Sequence, residues 1–183
     1  MDFPTTLRTT AEDFLRIIAL PENVDRRLEL IDGEIVEKPM PRPLHGYIAM
    51  MLAHLLRTFI ETHPLGQVLV ETQYAVPGEV YAPIPDVSFV HVDQPAIAWN
   101  EAVPFMPALA IEIQSPGQSD KDMSDKAQYY LKHGARMVWI VYPDRKLVEV
   151  LSATDRHLLM ATDTLGGGDV LPGFSVEITR LFP

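Results

Sequence analysis

From Leu44 to His63 the apolar residues Leu44, Ile48, Met51, Leu52, Leu55, Leu56, Phe59 and Ile60 recur at spacings of three and four. That is the period of an amphipathic helix packed against a sheet, and Pro64 and Gly66 end it. A shorter stripe of Phe14, Ile17 and Ile18 predicts a helix over Thr9–Leu20, opened by a Thr9-x-x-Glu12 capping box and stopped by Pro21. Between them, Arg27–Lys38 holds two alternating runs joined by Asp32-Gly33, the strongest short-range hairpin signal. Strand-like segments follow at Gln67–Val76, Asp86–His91 and Ala108–Gln114, separated by loops rich in Pro and Gly.

Ser119 or Asp120 then opens a helix to about His133, with Gly134 just past its last turn. Met137–Tyr142 is a continuous apolar run suited to a strand buried on both faces, and Lys146–Leu151 alternates after a Pro143-Asp144 turn. A Gly166-Gly167-Gly168 loop leads to a last short strand. This order predicts an α/β (α+β) fold, a central mixed β-sheet flanked by helices. No repeat, linker or composition shift marks a boundary, so residues 1–183 are expected to form a single domain.

Composition narrows the chemistry. The chain of 183 residues has no cysteine, so disulfides, cysteine-ligated metals and thiol nucleophiles are excluded. Any metal must be held by oxygen or imidazole ligands. The net charge of -10 opposes general attraction to nucleic-acid phosphate, which needs Lys and Arg to displace counterions. Met1–Thr10 has no basic stretch leading into an apolar one, and no apolar run approaches the ~20 residues of a membrane span. A cytoplasmic protein with no membrane partner is therefore expected.

The informative residues are carboxylates that interrupt apolar strands. In Ala108–Gln114 the period of two places Leu109, Ile111 and Ile113 on one face and Glu112 and Gln114 on the other, among small residues. Asp86 follows Pro85 at the start of another strand. Each acid alone reads equally as a solvated strand end or an ion-pair partner. Together, at adjacent strand ends, they can chelate a hard divalent cation such as Mg²⁺.

The pattern Pro85-Asp86 … Glu112-Ile113-Gln114 resembles the motif of the PD-(D/E)XK nuclease superfamily. More narrowly, Glu29-Leu-Ile-Asp-Gly-Glu34, Pro85-Asp86-Val-Ser-Phe-Val90, Glu112-Ile-Gln-Ser-Pro116, Asp122-x-x-x-Lys126 with Tyr129-Tyr130, Gly134 and Val138–Pro143 resemble the Uma2 family, formerly a domain of unknown function. The resemblance spans about Thr9 to Leu151. It implies a restriction-endonuclease-like core and Mg²⁺- or Mn²⁺-dependent hydrolysis of DNA, with Asp86 and Glu112 as metal ligands and catalytic residues. It also implies a lysine two residues past the Glu. Gln114 stands there, able to orient a water but carrying no positive charge.

Lys126 is the candidate to replace that lysine, with Lys121 behind it. Its bland alternative is an i,i+4 surface pair with Asp122. The superfamily often adds an early acid to the metal, which the hairpin would supply as Glu34 or Glu29; each reads equally as a solvated charge. His45 could contact phosphate, accept a proton or be structural. Two sites cutting two strands imply a two-fold homodimer. The competing reading is a noncatalytic nuclease-fold module, a homodimeric scaffold or nucleic-acid-binding protein, favoured by Gln114 and the acidic charge. Other chemistries lack their signatures: Ser115 has no Gly-x-Ser-x-Gly elbow, and Gly166–Gly168 has no phosphate-loop lysine.

Overall fold

A computed structural model of the chain describes residues 8–183; Met1–Leu7, part of the segment expected to lack a leader, lie outside the described residues. The chain forms two compact units. The first comprises the residues up to Met40 with Gln73–Ile84 and Ala98–Phe105; the second comprises Pro41–Thr72, Pro85–Ile97 and Met106–Pro183. Each is assembled from separated stretches, so no linker composition announces the division.

In the first unit helix α1 (Ala11–Ile18) buries Ala11 and Phe14 against Leu28 and Leu30 of strand β1 (Leu28–Ile31), with Ala75 and Ala82. β1 pairs antiparallel with β2 (Glu34–Glu37) across Asp32 (φ 51°) and Gly33 (φ 80°). Both turn residues have positive φ, which a tight primed hairpin turn requires. The helix cap differs from the Thr9-x-x-Glu12 box: Thr10 caps, accepting from the Asp13 N–H at 3.3 Å. Glu12 instead accepts from the Gly78 N–H at 2.9 Å, a tertiary contact that sequence spacing does not reveal.

In the second unit a six-stranded sheet has the order β3-β4-β5-β6-β7-β8. Its strands are β3 (Gly66–Val70), β4 (Val87–His91), β5 (Leu109–Ile113), β6 (Met137–Tyr142), β7 (Leu147–Ser152) and β8 (Arg156–Leu159). Only β5 and β6 pair in parallel; the other neighbours are antiparallel. The crossover between those two parallel strands is helix α3 (Asp120–Lys132). Helix α2 (Pro43–Thr62) lays Ile48, Leu52, Leu56 and Ile60 on the face carrying Phe89, Leu109, Ile111 and Trp139. A hairpin of β9 (Thr164–Gly166) and β10 (Ser175–Glu177) joins this core through Leu165 and Val176.

Two strand expectations change. The run Gln67–Val76 is a strand only to Val70, because Glu71 turns left-handed (φ 46°) and the chain leaves the sheet. Arg156–Leu159 is an additional edge strand whose exposed Arg156, His157 and Leu158 give no alternating signal. Among the described residues no helix is long and apolar enough to cross a membrane.

Gly66, paired with His91 where β3 meets β4, leaves no room for a side chain. A Cβ there would lie 2.0 Å from the Val90 carbonyl oxygen and 2.8 Å from the Phe89 ring. Gly66→Ala is therefore expected to destabilise the protein by about 1–3 kcal/mol, the cost of overpacking. A lowered urea midpoint at unchanged slope checks it.

Candidate functional site

Strand pairing sets the geometry. Val87 of β4 faces Ile111 of β5 in an antiparallel register, so one step back Asp86 falls opposite Glu112, and residues directly opposite share a face. Both side chains are buried, Asp86 at 1% and Glu112 at 2% exposure. A carboxylate out of water needs partners, and each has them. Asp86 Oδ2 accepts the Ile113 N–H at 2.7 Å and lies 3.2 Å from His45 Nε2. Glu112 Oε1 accepts the Tyr130 hydroxyl at 2.7 Å, and Lys126 Nζ lies 3.5 Å from Glu112 Oε2.

Helix α3 brings in Tyr130 and Lys126 together because residues four apart share a helix face. It starts at Ser119, which accepts from the Asp122 N–H while Asp122 accepts from the Ser119 N–H and hydroxyl. Asp122 thus closes a capping box, and Lys126 turns inward to Glu112. The exposed i,i+4 pair of this helix is Lys121 with Asp125.

Gln114 extends the line from Glu112, but its amide nitrogen is held in the following loop, donating to Gln118 O and to Asp120 Oδ1, each at 3.0 Å. Asp120 also receives two bonds from Arg145, at 2.9 and 2.6 Å, and Arg145 stacks 4.0 Å from the Tyr142 ring centroid. The Arg145 bonds, then the Gln114 amide, hold the Asp120 carboxyl below its usual range. Whatever stabilisation this gives is present above the unfolded value near ~3.9 and is lost as pH falls through the lower folded value. Both partners are exposed, so the net effect is small. Arg145→Gln is expected to raise the Asp120 titration midpoint, read by carboxyl NMR, with little change in melting temperature at neutral pH.

Glu29 and Glu34 belong to the first unit. Glu29 is buried and its Oε1 accepts the Ile84 N–H at 2.9 Å; Glu34 is exposed on β2. Among the described residues no group of three or more His, Asp or Glu is gathered as a metal cluster. Asp86 and Glu112 supply carboxylate oxygens, the ligand type that a hard divalent cation takes.

His45 sits in the first turn of α2, where Pro43 opens the helix and no side chain caps it. Its ring is 7% exposed, and Nδ1 is the buried side-chain polar atom without a hydrogen-bond partner among the described residues. Sequence reasoning missed Tyr130 as a carboxylate partner; its spacing of four from Lys126 was the available signal.

A model of the Uma2 family, described as "Putative restriction endonuclease", matches residues 11–179. Among solved structures, a "putative nuclease belonging to DUF820" from Anabaena variabilis superposes with a TM-score of 0.80 at 24% identity, covering 94% of this chain and 97% of that one. The shared fold is the restriction-endonuclease-like one expected from the sequence, a central mixed sheet flanked by helices. No curated protein matches the chain.

Proposed function

This chain belongs to the Uma2 family, and from that premise we propose that it is a divalent-metal-dependent endonuclease hydrolysing DNA phosphodiester bonds at Asp86 and Glu112. The observation that carries the reading is two buried carboxylates, each one step beyond the Val87–Ile111 pair that ends the β4–β5 register, with an ammonium 3.5 Å from one of them. Asp86 and Glu112 would hold one Mg²⁺ or Mn²⁺, which when bound polarises a phosphoryl oxygen and lowers the pKa of its water.

The chain's own residues supply the rest. The Ile113 N–H and His45 orient Asp86, and the Tyr130 hydroxyl orients Glu112. Lys126 sets a fixed positive charge against the charge that develops on the phosphate, standing in for the strand lysine that Gln114 replaces. Held by the loop, Gln114 is a positioning residue for the segment leading into α3. Two such sites in a two-fold homodimer would cut both strands of a duplex, and light scattering at twice the chain mass is the expected result.

The same Gln114 bonds, with the charge of -10, favour a second reading as a noncatalytic module. Incubation with duplex DNA at low salt separates the two. Slow cutting that needs Mg²⁺ or Mn²⁺ and stops with chelator supports the nuclease; bound metal without cutting supports the module.

A further inference from the structure

Asp120, the first residue of α3, stands where three segments meet. Its carboxylate accepts the Gln114 amide from the end of β5 and two bonds from Arg145, in the short turn Pro143–Arg145 that follows β6. Because β5 and β6 run parallel with α3 as their crossover, both strands end at the side of the sheet where the helix begins. We propose that Arg145, acting through Asp120, is a positioning residue that fixes α3 so that Lys126 and Tyr130 meet Glu112; the inference rests on the nuclease reading above.

Three observations carry it. The Arg145 guanidinium is already engaged: both terminal nitrogens bond Asp120, at 2.9 and 2.6 Å, in the forked pairing that sets orientation as well as distance. It also lies 4.0 Å from the Tyr142 ring centroid, a cation–π contact. The second observation is that this platform is itself held. The Tyr142 hydroxyl donates at 2.9 Å to the buried Glu149, which also accepts from Arg156 of β8. Burial, then the Glu149 carboxylate, push the Tyr142 phenol up, so it remains a donor at neutral pH.

The third lies in the helix. Asp120, Met123, Lys126 and Tyr130 follow one another at spacings of three and four, which puts them on one face, and the last three are buried. Met123 and Ala127 press α3 onto the sheet through apolar contact, which has no direction. The Asp120–Arg145 fork adds the direction, holding the helix along and around its axis. Lys126 Nζ stands 3.5 Å from Glu112 Oε2, so small movements of α3 act on that pair.

The test compares the full wild-type chain with Arg145→Gln, Arg145→Lys, Asp120→Ala and the double variant Arg145→Gln/Asp120→Ala. Cleavage of duplex DNA is followed with Mn²⁺, and the Lys126 ε-methylene and Tyr130 ring signals are read by NMR without metal. Arg145→Gln and Asp120→Ala should each lower kcat about tenfold, part of the roughly 100-fold that a 1 Å misplacement can cost, with KM unchanged and both signals shifted. Arg145→Lys keeps the charge but loses the fork and should recover part of kcat. The double variant should be no slower than Asp120→Ala, because the first change already breaks the pair.

A raised KM with unchanged kcat in Arg145→Gln would make Arg145 a phosphate contact and overturn the proposal. Lys126 and Tyr130 signals unmoved in that variant, or losses in kcat that multiply in the double variant, would overturn it too. A wild-type protein that does not cleave would overturn the nuclease reading alone, since the NMR shifts report the coupling of Arg145 to Lys126 without activity.

Discussion

Asp86→Asn and Glu112→Gln are each expected to lower metal-dependent cleavage by at least about 100-fold in a protein that stays folded. That bound is the upper end of the roughly 10–100-fold that loss of a residue merely supporting a metal ligand costs; loss of a ligand charge exceeds it. Both substitutions keep shape and an oxygen acceptor. The amide oxygen introduced by Asp86→Asn can still accept the Ile113 N–H, and that introduced by Glu112→Gln the Tyr130 hydroxyl, the two bonds that seat these side chains. What disappears is the negative charge. In Glu112→Gln, Lys126 also loses the carboxylate 3.5 Å from its ammonium. About 1–3 kcal/mol is then at stake, a fall of several degrees in melting temperature at this chain length. Circular dichroism and cleavage assays on the same samples separate the two effects. Cleavage unchanged in both variants would place the chemistry elsewhere.

The largest effect on stability is expected at Trp139. It lies in the central strand β6, is fully buried, and stacks on Phe174 with ring centroids 5.8 Å apart. That contact ties the sheet to the segment between β9 and β10, and the Phe174 ring is also edge-on to Phe59 of α2 at 5.4 Å. Trp139→Ala opens a cavity where α2, the sheet and this segment meet. A loss of about 3–5 kcal/mol is expected, or roughly 10 °C in melting temperature. Differential scanning calorimetry reads it directly, and a shift below about 2 °C would mean that the three elements do not share one core.

Legibility in the sequence followed the range of the interaction. Period and punctuation foretold α2, the Asp32-Gly33 hairpin and β6 because stripe, turn and apolar run are local properties. The cap of α1 was misplaced by one residue because Glu12 is drawn to Gly78, 66 positions away. β3 was expected too long because nothing in Gln67–Val76 announces the left-handed Glu71 that ends it. Glu112 stood out as an acid on a face of small residues, but its partner Tyr130 lies 18 positions away and is brought in by the β5–α3 packing. Gln114 shows the limit from the other side. Its motif position points to water or phosphate, yet its amide nitrogen bonds to Gln118 and Asp120, contacts that only the folded loop creates.

The pairing of Asp86 with Glu112 is tested most directly by soaking crystals of the wild-type protein with Mn²⁺ and collecting anomalous diffraction. The expected result is one strong peak within ligand distance of oxygens from both carboxylates, with Lys126 beside it, and no peak in crystals of Asp86→Asn. A map with no peak at this pair under conditions where the protein cleaves DNA, or a peak that persists unchanged in Asp86→Asn, would contradict the account.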